Sequence, residues 1–280
     1  MCSAFFKKRL LPTKEIFYND GEINFLRHID MVFIVKLAGK QIQINSIHDE
    51  LKDFFKEYLV DDSCYDFSVS WGMEEILLEQ KKSEQDNFSF AYLETLVALR
   101  KIAEHLPQKQ CLLMHGASIA YQGKAYLFTA ASGTGKSTHI RLWRKFLGKE
   151  VDIVNGDKPF LSIDKSEPNS QAHIRIYGTP WAGKENWQKN HNFQLHGICL
   201  LNRGKSNTIR KMTPTECLPL ILNQIYLPAS TSSAECTLAL IELLITSVPL
   251  YYLECDISED AVRCSFEAMT GLPYIPNVTD

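Results

Sequence analysis

The chain has 280 residues, 45% of them hydrophobic and 22% charged, with a formal net charge of −3. That length supports one large or two modest domains with a real core, and the composition is ordinary for a soluble globular protein. The near-neutral balance excludes a bulk polyanion such as nucleic acid as partner, and no run approaches the eighteen or so apolar residues of a membrane span.

The opening run Met1-Cys2-Ser3-Ala4-Phe5-Phe6-Lys7-Lys8-Arg9 lacks a basic segment followed by a long apolar stretch, so it does not read as a signal peptide. Residues 31–37 and 41–44 flank Ala38-Gly39-Lys40 and predict a β-hairpin. Ser46-Ile47-His48-Asp49 resembles a capping box before an amphipathic helix through Leu51, Phe54, Phe55, Tyr58 and Leu59. Residues 67–71 alternate like a strand, 81–87 are polar and read as a loop, and 90–106 carry the apolar stripe of a long helix.

After Pro107-Gln108-Lys109-Gln110 the texture changes, and residues 111–120 predict one apolar strand. Gln122-Gly123 turns it into a second strand at 125–129. A helix over 139–147 and a strand over 151–155 follow, then two strands flanking 164–169 and a buried strand at 197–201. Thr213-Pro214-Thr215-Glu216 is a helix start, with Thr as N-cap, Pro at the first helical position and Glu at the third. A second helix spans roughly 234–245, residues 250–255 read as a strand, and Ser258 opens a last helix that Gly271 closes. The pattern predicts an α/β chain with α+β character. It divides near residue 108 into a small N-terminal α+β domain (1–108) and a larger α/β nucleotide domain (109–280).

The eight cysteines are scattered without a C-x-x-C pair, and several sit in apolar runs. They read as small buried hydrophobes in a reducing compartment, which implies a cytoplasmic protein.

Ser132-Gly133-Thr134-Gly135-Lys136-Ser137-Thr138 stands between the strand at 125–129 and the helix at 139–147. Strand, glycine-rich turn, Lys-Ser/Thr and helix are the context of a phosphate-binding loop. Gly133 and Gly135 let the backbone turn tightly and present its N–H groups to an anion, which the helix N-terminus also favours. In such a loop Lys136 reaches the β- and γ-phosphates and the Ser137 hydroxyl binds Mg²⁺. The first glycine of the usual pattern is replaced by Ala130. A lysine in the first turn of an ordinary helix would face the unfavourable end of the helix dipole.

Phosphoryl transfer needs an acidic partner, and Asp157 is the best placed, at the end of strand 151–155 and twenty-one residues after Lys136. One helix and one strand of a parallel pair fit that spacing and set Asp157 beside the loop. A turn aspartate in Asn155-Gly156-Asp157 is the competing reading. Gly178-Thr179-Pro180-Trp181-Ala182-Gly183-Lys184-Glu185 suits a loop over an active site, Lys184 touching phosphate or Glu185 a metal; a tryptophan that merely anchors the loop is the alternative. Arg203, at the end of the strand 197–201, either stabilises developing charge or is solvated. His115 either approaches the phosphates or is a core histidine. His191, His196 and Cys199 lack zinc spacing.

Taken together these residues resemble the catalytic domain of HPr kinase/phosphorylase and, more distantly, ATP-dependent phosphoenolpyruvate carboxykinase. The loop at 132–138 is similar to the carboxykinase loop, Met114-His115-Gly116 to the His-Gly before the HPr kinase loop, and Asn155-Gly156-Asp157 to the families' acidic element. Residues 137–143, Asp157-Lys158-Pro159 and 178–184 resemble runs in HPr-kinase-related bacterial proteins, and the likeness covers most of 90–270. Where those families carry two acids, this chain has Asp157 alone, between Gly156 and Lys158.

The resemblance implies a P-loop nucleotide domain and transfer of the γ-phosphate of ATP, with Mg²⁺, to a hydroxyl of a protein or peptide, serine above all. It implies Asp157, Lys136, Arg203 and His115 as catalytic, 132–138 as nucleotide-binding, and Ser137 and Asp157 at the metal. A nucleotide-binding regulatory or scaffolding protein and a small-molecule kinase stand as alternatives. A nucleotide and an acceptor are the expected partners, without nucleic acid or membrane, and self-association stays open.

Overall fold

The computed structural model describes residues 31–82, 88–164 and 171–276. It begins with a small sheet. Strands β1 (Met31–Leu37) and β2 (Lys40–Ser46) form the antiparallel hairpin, turning at Ala38 (φ 49°) and Gly39 (φ 77°). Strand β3 (Phe67–Ser70) lies parallel to β2. The capping box expected at 46–49 does not form. Ser46 is the last residue of β2, and the short helix α1 (Glu50–Phe54) follows Asp49 without a side-chain cap.

A distant residue instead gathers the amides that precede the helix. The buried carboxylate of Glu94 accepts the Ile47 and His48 amides at 2.7 and 3.1 Å and the Trp71 indole N–H at 2.8 Å, and it meets His48 Nδ1 at 2.7 Å. Helix α2 (Met73–Lys82) is not foreseen by the sequence reading; it takes in Lys81 and Lys82, while residues 83–87 lie outside the described residues. Helix α3 (Phe90–His105) is capped by Ser89, whose hydroxyl accepts the Tyr92 amide at 3.2 Å.

The predicted strand at 111–120 is two strands, β4 (Cys111–Leu113) and β5 (Ala117–Tyr121). Between them the backbone leaves one ladder and joins another: the His115 amide donates to Gln224 O at 2.7 Å and the Gly116 amide to Asp157 O at 2.8 Å. Both halves are buried, so a continuous apolar run hides the break.

The chain continues through β6 (Lys124–Thr129), α4 (Lys136–Leu147), β7 (Val151–Asn155), β8 (Phe160–Asp164) and β9 (His173–Tyr177). Then come β10 (Asn192–Arg203), β11 (Thr208–Lys211), α5 (Pro214–Leu222), α6 (Thr231–Ser247), β12 (Leu250–Cys255) and α7 (Glu259–Thr270). The predicted capping box at Thr213–Glu216 is present, Ser258 caps α7, and Gly271 ends it with φ 72°.

Strands β4 to β12 form one mixed, curled nine-stranded sheet, ordered β4-β8-β9-β10-β6-β5-β7, with β12 on β10 and β11 outside β12. β10 runs parallel to β6 and β12. β7 runs in the same direction as β6 but is not paired with it; β5 lies between, antiparallel to both.

Helices cover both faces. Leu127, Ile198 and Leu200 pack with Ile221 of α5 and Ile241 and Leu244 of α6. Tyr126, Phe128, Cys199 and Leu201 pack with Ile140 and Trp143 of α4 and Phe266 of α7. Burial on both sides explains why β6 and β10 read as unbroken apolar runs rather than alternating ones. A third cluster joins the small sheet and α3 to Cys111, Leu113, Phe160 and Trp181. Among the described residues no helix is long and apolar enough to cross a membrane.

Candidate active site

The loop between β6 and α4 is built on two glycines with positive φ, Gly133 at 78° and Gly135 at 119°. Gly135 is the N-cap of α4 and supplies no side-chain cap, whereas Ser or Thr side chains cap α3, α5, α6 and α7. No acidic residue stands in the first turn of α4, so its leading N–H groups and dipole face the loop unopposed by a carboxylate. Ala130 takes no positive φ, so its Cβ costs no strain where the usual pattern has glycine.

Lys136 is the first residue of α4 and is buried. Its Nζ turns back to donate to Ala130 O at 2.9 Å and Ala131 O at 3.3 Å, across the mouth of the loop. Burial lowers its pKa; the charge of Asp157 works against that lowering and the charge of Lys158 adds to it. Ser137 and Thr138 are half-buried in the same turn. Arg203, at the end of β10, is exposed, and its guanidinium donates to Gly133 O and to Thr134 O, the latter at 2.9 Å. The side chain is thus both solvated and bound to the loop backbone.

Asp157 follows β7. Asn155 shapes its turn, its Oδ1 accepting the Asp157 amide at 2.9 Å and the Lys158 amide at 2.8 Å. The turn reading and the functional one are thus compatible, because the Asn155 turn aims the Asp157 carboxylate. One Asp157 oxygen faces His115 Nε2 at 3.4 Å and the other accepts from Lys158 Nζ at 3.0 Å. Burial pushes this carboxyl up, but the His115 hydrogen bond and the Lys158 charge outweigh it and hold the pKa at about 2. His115 is not a core histidine: its side chain is 29% exposed, and its Nδ1 meets Gln224 Oε1 at 3.0 Å. The break between β4 and β5 lets the ring leave the sheet and face Asp157.

The segment 178–185 closes one side. Trp181 is its anchor: the ring stacks on Phe160, meets Phe54 and Phe55 edge-on, and donates its N–H to Thr95 O at 2.9 Å. Thr179 accepts from Asn155 Nδ2 at 3.2 Å and donates to Lys158 O at 2.7 Å, so the segment is bound to the Asp157 turn. Gly183, with φ 77°, lies against Asp157. A Cβ built on it would stand 3.8 Å from both the Asp157 carboxyl carbon and a Glu185 carboxylate oxygen. Lys184 and Glu185 are both exposed.

Asn155, Lys158, Thr179 and Gln224 also belong to this constellation; the first three stand in runs already marked in the sequence but were given no site role, and Gln224 stands in none. Asn-Gly before the acid was a usable signal for Asn155; Gln224, two residues beyond α5, carries no local signal. His139 goes the other way. It is buried against Ser265 Oγ at 3.0 Å, and burial drives its pKa down to about 3, so it is a neutral core residue. Among the described residues no group of three or more His, Cys, Asp or Glu is placed to hold a metal.

No protein-family model matches the chain, and no curated protein does. A solved structure described as the Hpr(Ser) kinase/phosphatase from Coxiella burnetii overlaps 57% of this chain and 93% of its own, with 13% sequence identity and a TM-score of 0.29. An overlap of that quality leaves the functional reading to the residues themselves.

Proposed function

We propose that the chain is an ATP- and Mg²⁺-dependent phosphotransferase of the HPr-kinase-like type, passing the γ-phosphate to a hydroxyl, serine above all, of a protein or peptide. The observation that carries the reading is the joint placement of an uncapped glycine loop with its buried Lys136 and of Asp157 held ionised by His115 and Lys158.

In this reading the loop amides and Lys136 take the β- and γ-phosphates, displacing the lysine from Ala130 O. Arg203 holds the loop in shape. The Ser137 hydroxyl and the Asp157 carboxylate would hold Mg²⁺, which prefers one or two carboxylates plus phosphate oxygens to an all-protein cage. When bound, the ion would neutralise charge developing on the phosphates. A carboxylate with pKa about 2 is a weak base at neutral pH and a good cation ligand, so Asp157 orients the acceptor hydroxyl more than it pulls its proton. The acceptor oxygen forms a bond to the γ-phosphorus as the bond to the ADP oxygen breaks, and the hydroxyl proton leaves to Asp157 or solvent. The same proposal keeps the division into 1–108 and 109–280, with the N-terminal part seating Trp181.

The test is ATP affinity and γ-phosphate transfer in wild type, Lys136→Ala and Asp157→Asn. Lys136→Ala is expected to weaken ATP at least about tenfold, and Asp157→Asn to slow transfer about 10²–10⁴-fold while still binding nucleotide. Wild-type ATP affinity in Lys136→Ala overturns the site assignment. The firm pairing of Asp157 with Lys158 favours a second reading, a nucleotide-binding regulator; tight ATP binding without transfer to any acceptor would select it.

A further inference from the structure

Beside residues 186–189, which follow Gly183 in the chain, lies an open cleft of about 540 Å³. Its walls are helix α4, which contributes Arg141, Arg144 and Lys145, and residues 186–189, which contribute Asn186, Trp187 and Lys189. Arg141, Arg144 and Lys145 are spaced to share one face of the helix. No acidic side chain lines the cleft. Lys189 is paired with Asp152, but among the described residues no carboxylate forms an ion pair with Arg141, Arg144 or Lys145. Such a concentration of positive charge is local, since the whole chain carries a net charge of −3.

The cleft adjoins the candidate active site through two of its own elements. Arg141 lies five residues along α4 from Lys136, about 7.5 Å of helix rise. Asn186 lies three residues from Gly183, which touches Asp157, so at most about 11 Å of chain separates the cleft wall from that contact. The floor is shared too: Lys189 N donates to Val154 O at 3.2 Å, and Asn155 forms a bridge with Gln188.

We propose that this cleft docks an acidic segment of the phosphate acceptor and so selects which hydroxyl reaches Asp157. The inference rests on the phosphotransferase reading for the word acceptor, while the cleft itself is a feature of charge and shape. Fixed positive charge in a concave site attracts and orients a carboxylate-rich chain, and it does so in a salt-dependent way. The geometry also sets a spacing: the reactive hydroxyl should stand about three or four residues from the acidic run, the extended length that covers the path from Asn186 to Asp157. Nucleic acid is the less suited polyanion, because the cations are confined to one cleft rather than forming a stripe across the surface.

The experiment uses the full chain and a labelled peptide with a run of glutamates three residues before a single serine, beside its all-glutamine counterpart. Binding is read by fluorescence anisotropy, at low and high salt, in wild type, in Arg141→Glu/Lys145→Glu and in the milder Arg141→Gln/Lys145→Gln. ATP affinity and thermal midpoint are measured on the same proteins. The expected result is binding of the glutamate peptide alone, weakened by salt and at least about tenfold weaker in the charge-reversed protein, with ATP affinity and folding preserved. Equal peptide affinity in wild type and both variants overturns the proposal, as does tighter binding of a single-stranded oligonucleotide of the same charge. If Lys136→Ala leaves ATP affinity unchanged while the charge-reversed protein loses the peptide, the phosphate site fails and the docking cleft stands.

Discussion

Asp157 is where sequence and structure meet most closely. Its spacing from Lys136 marks it in the sequence, but its ionisation state follows from Lys158, its neighbour in the chain, and from His115, which only folding brings to face it. Because its pKa falls from the ordinary 3.8 to about 2 on folding, the ionised group stabilises the native state above about pH 4. That contribution is lost as the pH falls through about 2. It is on the order of 2 kcal/mol at neutral pH, so Asp157→Asn should be less stable than wild type by roughly that amount at pH 7 and nearly equal to it near pH 2. Urea midpoints of the two proteins across that range check the sign. A constant gap would show that Asp157 matters through packing and not through charge.

At the scale of elements, the segment 178–185 depends on tight backbone approach. A Cβ on Gly178 would come within 1.9 Å of Lys189 O and 2.7 Å of Val154 O, both backbone atoms that cannot swing aside. Gly178→Ala should therefore destabilise the fold by about 1–3 kcal/mol or more, and the displaced segment should loosen its hold on Asp157. A fall in thermal midpoint with a parallel loss of ATP-dependent activity is the expected readout. Unchanged stability would mean the segment can slide away from Lys189 without cost. The composition of 178–185 announced a loop, while the role of Trp181 stayed open between anchor and lid. Its neighbours Phe54, Phe55 and Phe160 decide for the anchor, and none of them is near it in sequence.

At the scale of the molecule, one hydrophobic cluster passes from the small sheet and α3 into the nine-stranded sheet. A fragment spanning 109–280 would uncover Cys111, Leu113, Phe160 and Trp181, which the whole chain buries. Such a fragment should bind a hydrophobic dye strongly and aggregate, because an apolar patch of that kind has no cover of its own. A monomeric fragment with weak dye binding would show that the N-terminal part only decorates the nine-stranded sheet.

By itself the sequence determined the hairpin at 31–46, the strands at 125–129 and 197–201, the capping box at Thr213, the stop at Gly271 and the glycine turn at 132–138. Each of these is local: a turn, a cap, an apolar run or a glycine pattern carries its own physics within a few residues. The tertiary structure decided the rest. The apolar run at 111–120 could not show that its backbone changes ladders at His115, since both halves are equally buried. The pattern at 46–49 could not show that Glu94, far along the chain, takes up the Ile47 and His48 amides. Nor could a lone acid in the sequence show that His115 is brought to face its carboxylate. Hydrogen bonds and charges between residues distant in the chain set these outcomes, and no local pattern encodes their distances.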